Sequence, residues 1–417
     1  MRSPEEVLEN LSKQSAKHEN DGDYRFTELY KHFLNPLFYE SGEAEKALEA
    51  LKNERWRPER EKALAESIAS IANSILNAVF RTAPFNPGCH KMLIFAQSEL
   101  CGSDQLIAGN LKPSFGNFDP NAIAGFLRRK IADERFIRLV YKLFKAGKAD
   151  CWSFGGTYSK EPVGAPLSQT LAGICLAEFD RKLAGNIRGD GYVRCASSFL
   201  IGLKRGGRDL KCLKGEAARL LESMELLVDA TSASMKAKFL SYEASLDQQG
   251  RIRLRMPKDL APARLKELGA VLDLSAKPWK ASPAPGLIRK SDEEILDFFS
   301  GQVERLYRYC CLAENVSLEM GKFSALMKQS MMKTFAAKYD CSSKRMYEKL
   351  RLDDGSIGVI ASSDQGIRKF YSSGFVRKPD GIDGADVDLM PDVSAWRQDK
   401  GKKIAVKISK RKCGSRN

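Results

Sequence analysis

The sequence predicts an α+β fold, and three observations carry that expectation. Leu106-Ile107-Ala108 is a short apolar strand, and Tyr192 to Ile201 reads as a hairpin whose apolar residues flank Cys195-Ala196-Ser197-Ser198. Ala63 to Leu76 is a long apolar run of helical character. Ser291-Asp-Glu-Glu294 has the form of a capping box, and Ile295, Phe298, Phe299, Val303, Leu306 and Cys310 follow it along one helical face. At 417 residues the chain is long enough for two or three domains.

The elements follow in order. Residues 1–20 are polar and are expected to be mobile. From Tyr24 to about Leu51, the spacing of Phe26, Leu29, Tyr30, Phe33 and Leu37 predicts helix. Beyond Trp56-Arg-Pro-Glu-Arg60 comes the helix over 63–76, then the strand at 106–108, then helices over 122–131 and 133–147. Phe239-Leu-Ser-Tyr242 is expected as a strand. After the Met256-Pro257 step, a joint containing Pro and Ser, Lys277-Pro278 to Pro285-Gly286, precedes the capped helix. A second helix over 317–339 places Met331, Phe335 and Tyr339 on one side and Ser330, Lys333, Thr334 and Lys338 on another. From 354 to about 394, Gly, Asp and Ser predict loop. The final stretch from Arg397 has nine Lys or Arg against one Asp and reads as a basic tail.

Composition narrows the function. The net charge of +15 and a pI near 9.3 favour a polyanionic partner, nucleic acid first and an anionic membrane surface second. No run reads as the roughly 18–20 apolar residues that span a bilayer. The ten cysteines form no CxxC pair, so zinc and redox motifs lack support and reduced thiols are expected. Met1-Arg-Ser-Pro-Glu-Glu6 has early acids and no apolar core, which fits neither a secretory signal nor a transit peptide.

Gly164 to Asp180 and the hairpin from Tyr192 to Ile201 together resemble the palm of a reverse transcriptase of the group II intron type. Leu106 to Asp119 resembles that family's first catalytic strand, with Asn110 on the position of its aspartate and Phe115 on the aromatic gate. Arg25 to Pro36 resembles the N-terminal extension, and Phe85-Asn-Pro-Gly-Cys-His90 echoes the residues before the palm. Arg305, Tyr307, Tyr309, Asn315, Ser330, Lys333, Thr334, Ala336, Lys338 and Arg345 resemble the thumb and maturase region called domain X. The resemblance covers residues 25 to about 353. It implies a right-hand polymerase-like architecture: an N-terminal extension with shortened fingers over 1–104, a palm over 105–257, a helical thumb and domain X over 258–353, and a loop-rich region with the basic tail over 354–417.

The departures carry the functional expectation. The family writes Tyr, Ala, Asp, Asp in the hairpin where this chain has Cys195, Ala196, Ser197 and Ser198. It has Gln where Val163 stands, and a basic fingers hairpin that this sequence does not show. Polymerases clamp two Mg²⁺ ions about 3.5–4 Å apart between carboxylates, and Mg²⁺ demands hard anionic oxygens. Asn110, Ser197 and Ser198 are neutral. Asp119, Asp190 and Glu178 lie nearby in sequence, but none replaces the missing ligands without remodelling. No catalytic residue, no metal site and no cofactor of the chain's own is expected; Mg²⁺ belongs with the RNA. Only three histidines occur, none after His90, so the C-terminal HNH nuclease of some family members is not expected.

The resemblance therefore implies a group II intron maturase that binds intron RNA and stabilises the folded ribozyme without copying it, encoded in a mitochondrion or alternatively a plastid. RNA is expected to meet Arg305, Tyr307, Asn315, Ser330, Lys333, Thr334, Lys338 and Arg345, although a solvated lysine face would read the same way. No membrane or small-molecule partner is expected. Two alternatives remain: a working RNA-directed DNA polymerase with relocated metal ligands, and a non-catalytic RNA-binding scaffold of an organellar ribonucleoprotein.

Overall fold

A computed structural model describes residues 2–19, 21–40, 42–53, 56–81, 87–113, 120–147, 165–186, 191–196, 198–204, 226–230, 234–275, 277–360 and 366–382. The chain folds as two compact units. One comprises Met1–Pro257, Arg308–Ser317 and Val376–Leu389; the other is built from Lys258–Tyr307 and Leu318–Phe375.

The first unit opens with a helix where the sequence suggested a mobile segment. Helix α1 (Pro4–Lys17) is started by Ser3, whose hydroxyl accepts from the Glu6 N–H while the Glu6 carboxylate accepts from the Ser3 N–H, with Pro4 at the first helical position. Val7 and Leu11, four residues apart, are buried on one face. Ser15 on the same face donates to the Val79 carbonyl at 2.6 Å. The two apolar positions escaped notice among many charges.

The next segment is also shorter in helix than expected. Only 3₁₀ turns occur at Leu29–Leu34 and Pro36–Phe38, before helix α2 (Ala44–Lys52). Pro36 has no N–H and holds Asn35 extended, which stops the helix there. The side chain of Asn35 then accepts from the Leu37 N–H.

Helix α3 (Lys62–Phe80) is the centre of this unit's core. It is long and apolar enough to cross a membrane, contrary to the reading of the sequence alone. Here it sends Ile68, Ile71, Ile75, Leu76 and Val79 into one cluster with Leu11, Phe33, Phe136, Leu171, Phe199 and Ile201. Each fully buried side chain of this size contributes about 1.5–3 kcal/mol. Among the described residues between Trp56 and Leu100 there is no strand. Helices α4 (Cys89–Glu99), α5 (Pro120–Arg128), α6 (Glu134–Gly147) and α7 (Ala165–Asn186) complete the helical part.

Four antiparallel strands form the first sheet in the order β2-β3-β1-β4: β1 (Gln105–Pro113), β2 (Gly191–Cys195), β3 (Ser198–Leu203) and β4 (Leu226–Ala230). The expected hairpin is β2–β3. Asn110 stands opposite Ser198 on one side and Asp229 on the other. A second sheet joins β5 (Lys236–Phe239), β6 (Tyr242–Leu246) and β7 (Ile252–Arg255). Phe239 to Tyr242 is therefore not one strand. Leu240 and Ser241 take φ of 48° and 59°, the left-handed pair that closes a two-residue hairpin.

The second unit contains helices α8 (Leu260–Glu267), most of α9 (Asp292–Cys310) and α10 (Val316–Lys338), and α11 (Ser343–Leu350). The capping box at Ser291 and Glu294 is formed by both reciprocal hydrogen bonds. Beyond it, where loop was expected, β8 (Gly358–Ile360) and β9 (Ile367–Lys369) pair as a short hairpin. Strands of three residues are too brief to show an alternating pattern. The basic tail lies outside the described residues.

Gly109 is needed where β1 passes under Phe199, because a Cβ there would stand 2.2 Å from the Phe199 ring. Gly109→Ala is expected to lower stability by about 1–3 kcal/mol through overpacking. Gly125→Ala, on α5 with open space around it, is expected to raise stability by about 0.5–1 kcal/mol. Urea unfolding of both variants checks the pair.

Candidate nucleic-acid interface

The centre of the first sheet carries Asn110 and Ser198, two of the positions at which the resemblance to reverse transcriptases expects carboxylates. Antiparallel pairing of β1 with β3 sets Asn110 against Ser198, and the Ser198 hydroxyl donates to Asn110 Oδ1 at 2.6 Å. A neutral amide and a neutral hydroxyl thus satisfy each other. Ser197, Phe115, Asp119, Val163 and Asp190 lie outside the described residues, as does the side chain of Glu178. Among the described residues no group of three or more His, Cys, Asp or Glu could hold a metal ion. The Asn110–Ser198 pair does not fit two Mg²⁺ ions, since it supplies no negative charge to offset theirs.

The hairpin that carries Ser198 is held rigidly. Arg194 on β2 makes paired hydrogen bonds to the Asp180 carboxylate of α7 at 2.6–3.1 Å, and its Nη1 donates to the Ala196 carbonyl at 2.9 Å. Tyr192 donates to the same carboxylate at 2.7 Å. Ala196 takes φ of 50°, so the guanidinium braces the turn at a residue in the left-handed region. Burial opposes the charge of Arg194 most strongly of any single cause, but the hydrogen bonds and charge of Asp180, with smaller help from Tyr192 and Cys195, together outweigh it and hold the guanidinium above its ordinary pKa. Burial, then the Asp180 charge, push the Tyr192 hydroxyl well up.

The residues that the resemblance expects to meet RNA behave differently from one another. Ser330, Lys333, Thr334 and Lys338 do share one face of α10, as their spacing required. That face is turned to the joint before α9. Ser330 donates to the Ser282 carbonyl, and Lys333 Nζ to the Ala281 carbonyl at 2.7 Å. Thr334 accepts from the Ala284 N–H at 2.9 Å and donates to the Ser330 carbonyl. Lys338 Nζ meets the Lys290 carbonyl and Asp292 Oδ1 at 2.7 and 2.6 Å. Ser330 and Thr334 are fully buried. Asn315 belongs to the first unit and clamps Met256, accepting from its N–H at 2.8 Å and donating to its carbonyl at 3.0 Å. Tyr307 is buried against Tyr371 and Phe375. Of the eight, Arg305 and Arg345 present exposed side chains to which no group among the described residues is bound.

Around Arg345 the structure assembles residues that the sequence reading passed over. Ser342 caps α11, its hydroxyl accepting from the Arg345 N–H. Met346 and Leu350 are buried, which turns Lys344, Arg345, Tyr347 and Lys349 outward. The Lys349 and Lys338 ammonium groups lie 4.8 and 5.4 Å from the centre of the Tyr339 ring, and Lys328 lies 5.1 Å from that of Tyr347. Tyr339 and Tyr347 keep 42% and 37% exposure, so their rings remain reachable. Tyr339 donates to Asp292, and that bond pushes its hydroxyl up to about 12. From 338 to 351 there are five Lys or Arg and two acids, Asp340 and Glu348. Exposed rings interleaved with cations suit single-stranded RNA, where bases stack and phosphates pair. The available signal in sequence was the cap at Ser342 with Met346 and Leu350 four apart.

Relatives of this chain include proteins encoded within introns. It is similar to the group II intron-encoded protein LtrA of Lactococcus lactis, with 24% identity over an alignment of 402 positions that takes in 76% of this chain and 67% of LtrA. It is also similar, at 30% identity over 125 residues, to a 91 kDa protein in the cob intron of Schizosaccharomyces pombe, covering 29% of this chain and 16% of that protein. A COX1/OXI3 intron 1 protein of Saccharomyces cerevisiae matches at 30% over 119 residues, 28% of this chain and 14% of its own length. No protein-family model matches the chain.

Two stability tests follow from these contacts. Asp180→Asn leaves Arg194, whose side chain is only 7% exposed, without its charge partner. The expected loss is about 3 kcal/mol, the lower end for a broken buried pair because Asp180 itself keeps 30% exposure. Thr334→Val orphans the buried Ala284 N–H and is expected to cost about 1–3 kcal/mol. Chemical denaturation of each variant reads both values.

Proposed function

We propose that this protein is a group II intron maturase that binds and stabilises intron RNA and does not polymerise DNA. The observation that carries this reading is the Ser198–Asn110 hydrogen bond. It sits at the positions where the resemblance to reverse transcriptases expects metal-binding carboxylates, and it is neutral. The similarity to LtrA over most of the chain supports an intron-related role. In this reading the fingers–palm–thumb arrangement of the family is retained as an RNA-holding shell. The ribozyme performs the chemistry with its own Mg²⁺, and the protein lowers the free energy of the folded RNA by binding it preferentially. The cob and COX1/OXI3 intron relatives favour an organelle, a mitochondrion before a plastid.

The exposed surface of α11 is the contact that we assign first. Arg345, Lys344 and Lys349 would meet phosphates, while Tyr347 and Tyr339 offer rings to unpaired bases. Arg305 would extend the same function. The inward-facing Ser330, Lys333, Thr334 and Lys338 would act by fixing the joint over 281–292, and Asn315 and Tyr307 by fixing backbone and aromatic packing.

One observation favours a second reading. Asp229 stands in register beside Asn110 on β4, so a polymerase with relocated ligands would draw on it. Primer extension on an RNA template with Mg²⁺ or Mn²⁺ separates the two. No incorporation is expected, and incorporation lost in Asp229→Asn would establish the polymerase instead.

Crosslinking and sequencing of RNA bound to the full chain tests the maturase reading directly. Intron RNA is expected. Ribosomal RNA alone would point to a ribonucleoprotein scaffold, and no RNA would reject both. Arg345→Glu with Lys349→Glu is expected to weaken intron RNA binding by at least tenfold and to reduce its salt dependence by about one to two ion equivalents.

A further inference from the structure

Within the first unit, α4 carries a buried imidazole with both ring nitrogens engaged. His90 is 4% exposed. Its Nε2 lies 2.9 Å from the Tyr309 carbonyl near the end of α9, and its Nδ1 lies 3.1 Å from the Ile382 backbone nitrogen. A carbonyl only accepts and a backbone N–H only donates, so the two partners fix the tautomer. The proton sits on Nε2 and Nδ1 is bare.

Ile382 lies on a strap that belongs to this unit from Val376 onward. The Lys378 N–H donates to the Cys311 carbonyl at 2.8 Å, and Arg377 Nε donates to the Leu312 carbonyl at 3.1 Å. Lys378-Pro-Asp-Gly381 forms a turn, closed by the Gly381 N–H on the Lys378 carbonyl at 3.1 Å, with Pro second and Gly fourth as type I turns favour. Gly381 takes φ of 74°, and a Cβ there would stand 3.0 Å from His90 Cβ. The strap therefore lies directly on His90, and its last described bond to this unit ends on Nδ1.

The groups around the ring give a second proton no anion to meet. Tyr242 donates to the same Tyr309 carbonyl, and Cys89 Sγ lies 3.7 Å from the Tyr309 hydroxyl. Burial pushes the Tyr242 and Tyr309 hydroxyls and the Cys310 thiol well up, and the Cys311 thiol up to about 11. All four stay neutral across the histidine range of about pH 5 to 8. Arg308 and Lys378 both act as positive charges on Cys311, and the strap adds Arg377. Lys91 beside His90 and Asp380 on the strap are exposed. Among the described residues no carboxylate forms an ion pair with the ring.

We propose that His90 is a proton-operated latch, and that a second proton on its ring frees residues 376–382 from the first unit. A neutral imidazole donates from one nitrogen and accepts at the other, whereas an imidazolium only donates. The second proton can enter only at Nδ1, where it displaces the Ile382 N–H. Docking is complete while the ring is neutral and is lost as the pH falls. The basic stretch from Arg397 follows in the chain, so the latch also holds its point of attachment.

Hydrogen exchange of the full chain, from about pH 8 to about 5.5, tests the latch across the range in which histidine changes charge. Protection is taken relative to an unstructured peptide at the same pH. One proton taken up per release changes the docked-to-free ratio by up to about tenfold per pH unit. Protection over 376–382 is expected to fall about tenfold or more, while that of α3 in the same unit holds. His90→Asn offers an amide oxygen near the place of Nδ1 and takes no proton, so its protection over 376–382 is expected to stay level. Protection in the parent that does not change with pH overturns the latch, as does an equal fall in His90→Asn or an equal fall in α3. A further measurement needs no variant. The chain has three histidines, and nitrogen NMR of their rings at high pH is expected to show His90 protonated on Nε2; a proton on Nδ1 overturns the proposal.

Discussion

At the middle of a four-stranded sheet, a serine hydroxyl points its proton at an asparagine carbonyl across adjacent strands. The proposed absence of polymerase activity depends on that contact being uncharged. Two divalent cations held a few ångströms apart repel each other strongly, and only ligand charge makes such a cluster tolerable. An amide and a hydroxyl bring none. The same neutrality lets the strands close on one another without like-charge repulsion between facing carboxylates at Asn110 and Ser198.

Among the described residues, the charge beside this hairpin fixes its position. Arg194 and Asp180 form a buried, hydrogen-bonded pair that fastens the turn to α7, with Tyr192 sharing the carboxylate. The second unit shows the same division of labour. Lys333 and Lys338 look like an RNA-binding row in the sequence, yet their ammonium groups hold backbone carbonyls of the joint over 281–292. The outward cations of α11 have no such engagement, which is why they make the better candidates for phosphate.

Parts of this arrangement were legible from the residues alone. The helix read over 63–76 and the capping box at Ser291 declare themselves through local pattern, because an apolar helix and a reciprocal cap are each set by neighbours in sequence, whereas the hairpin over 192–201 came from the resemblance. The placement of Asn110 against Ser198 was implied by resemblance and is realised by strand register. Other parts were hidden. Helix α1 rests on two apolar residues, Val7 and Leu11, whose value lies in the helix they meet. The turn at Leu240-Ser241 breaks what reads as one apolar strand, since neither residue type announces a positive φ.

The sequence by itself determined the net positive charge, the neutral residues at Asn110 and Ser198, and the periodic helices, because charge and local periodicity are properties of residues and their near neighbours. Only the tertiary structure decided which polar side chains of α10 are inward, which lysines stand over tyrosine rings, and that His90 meets Tyr309 and Ile382. Burial and partnership arise from segments far apart in the chain, and a single-sequence pattern carries no information about which of them will meet.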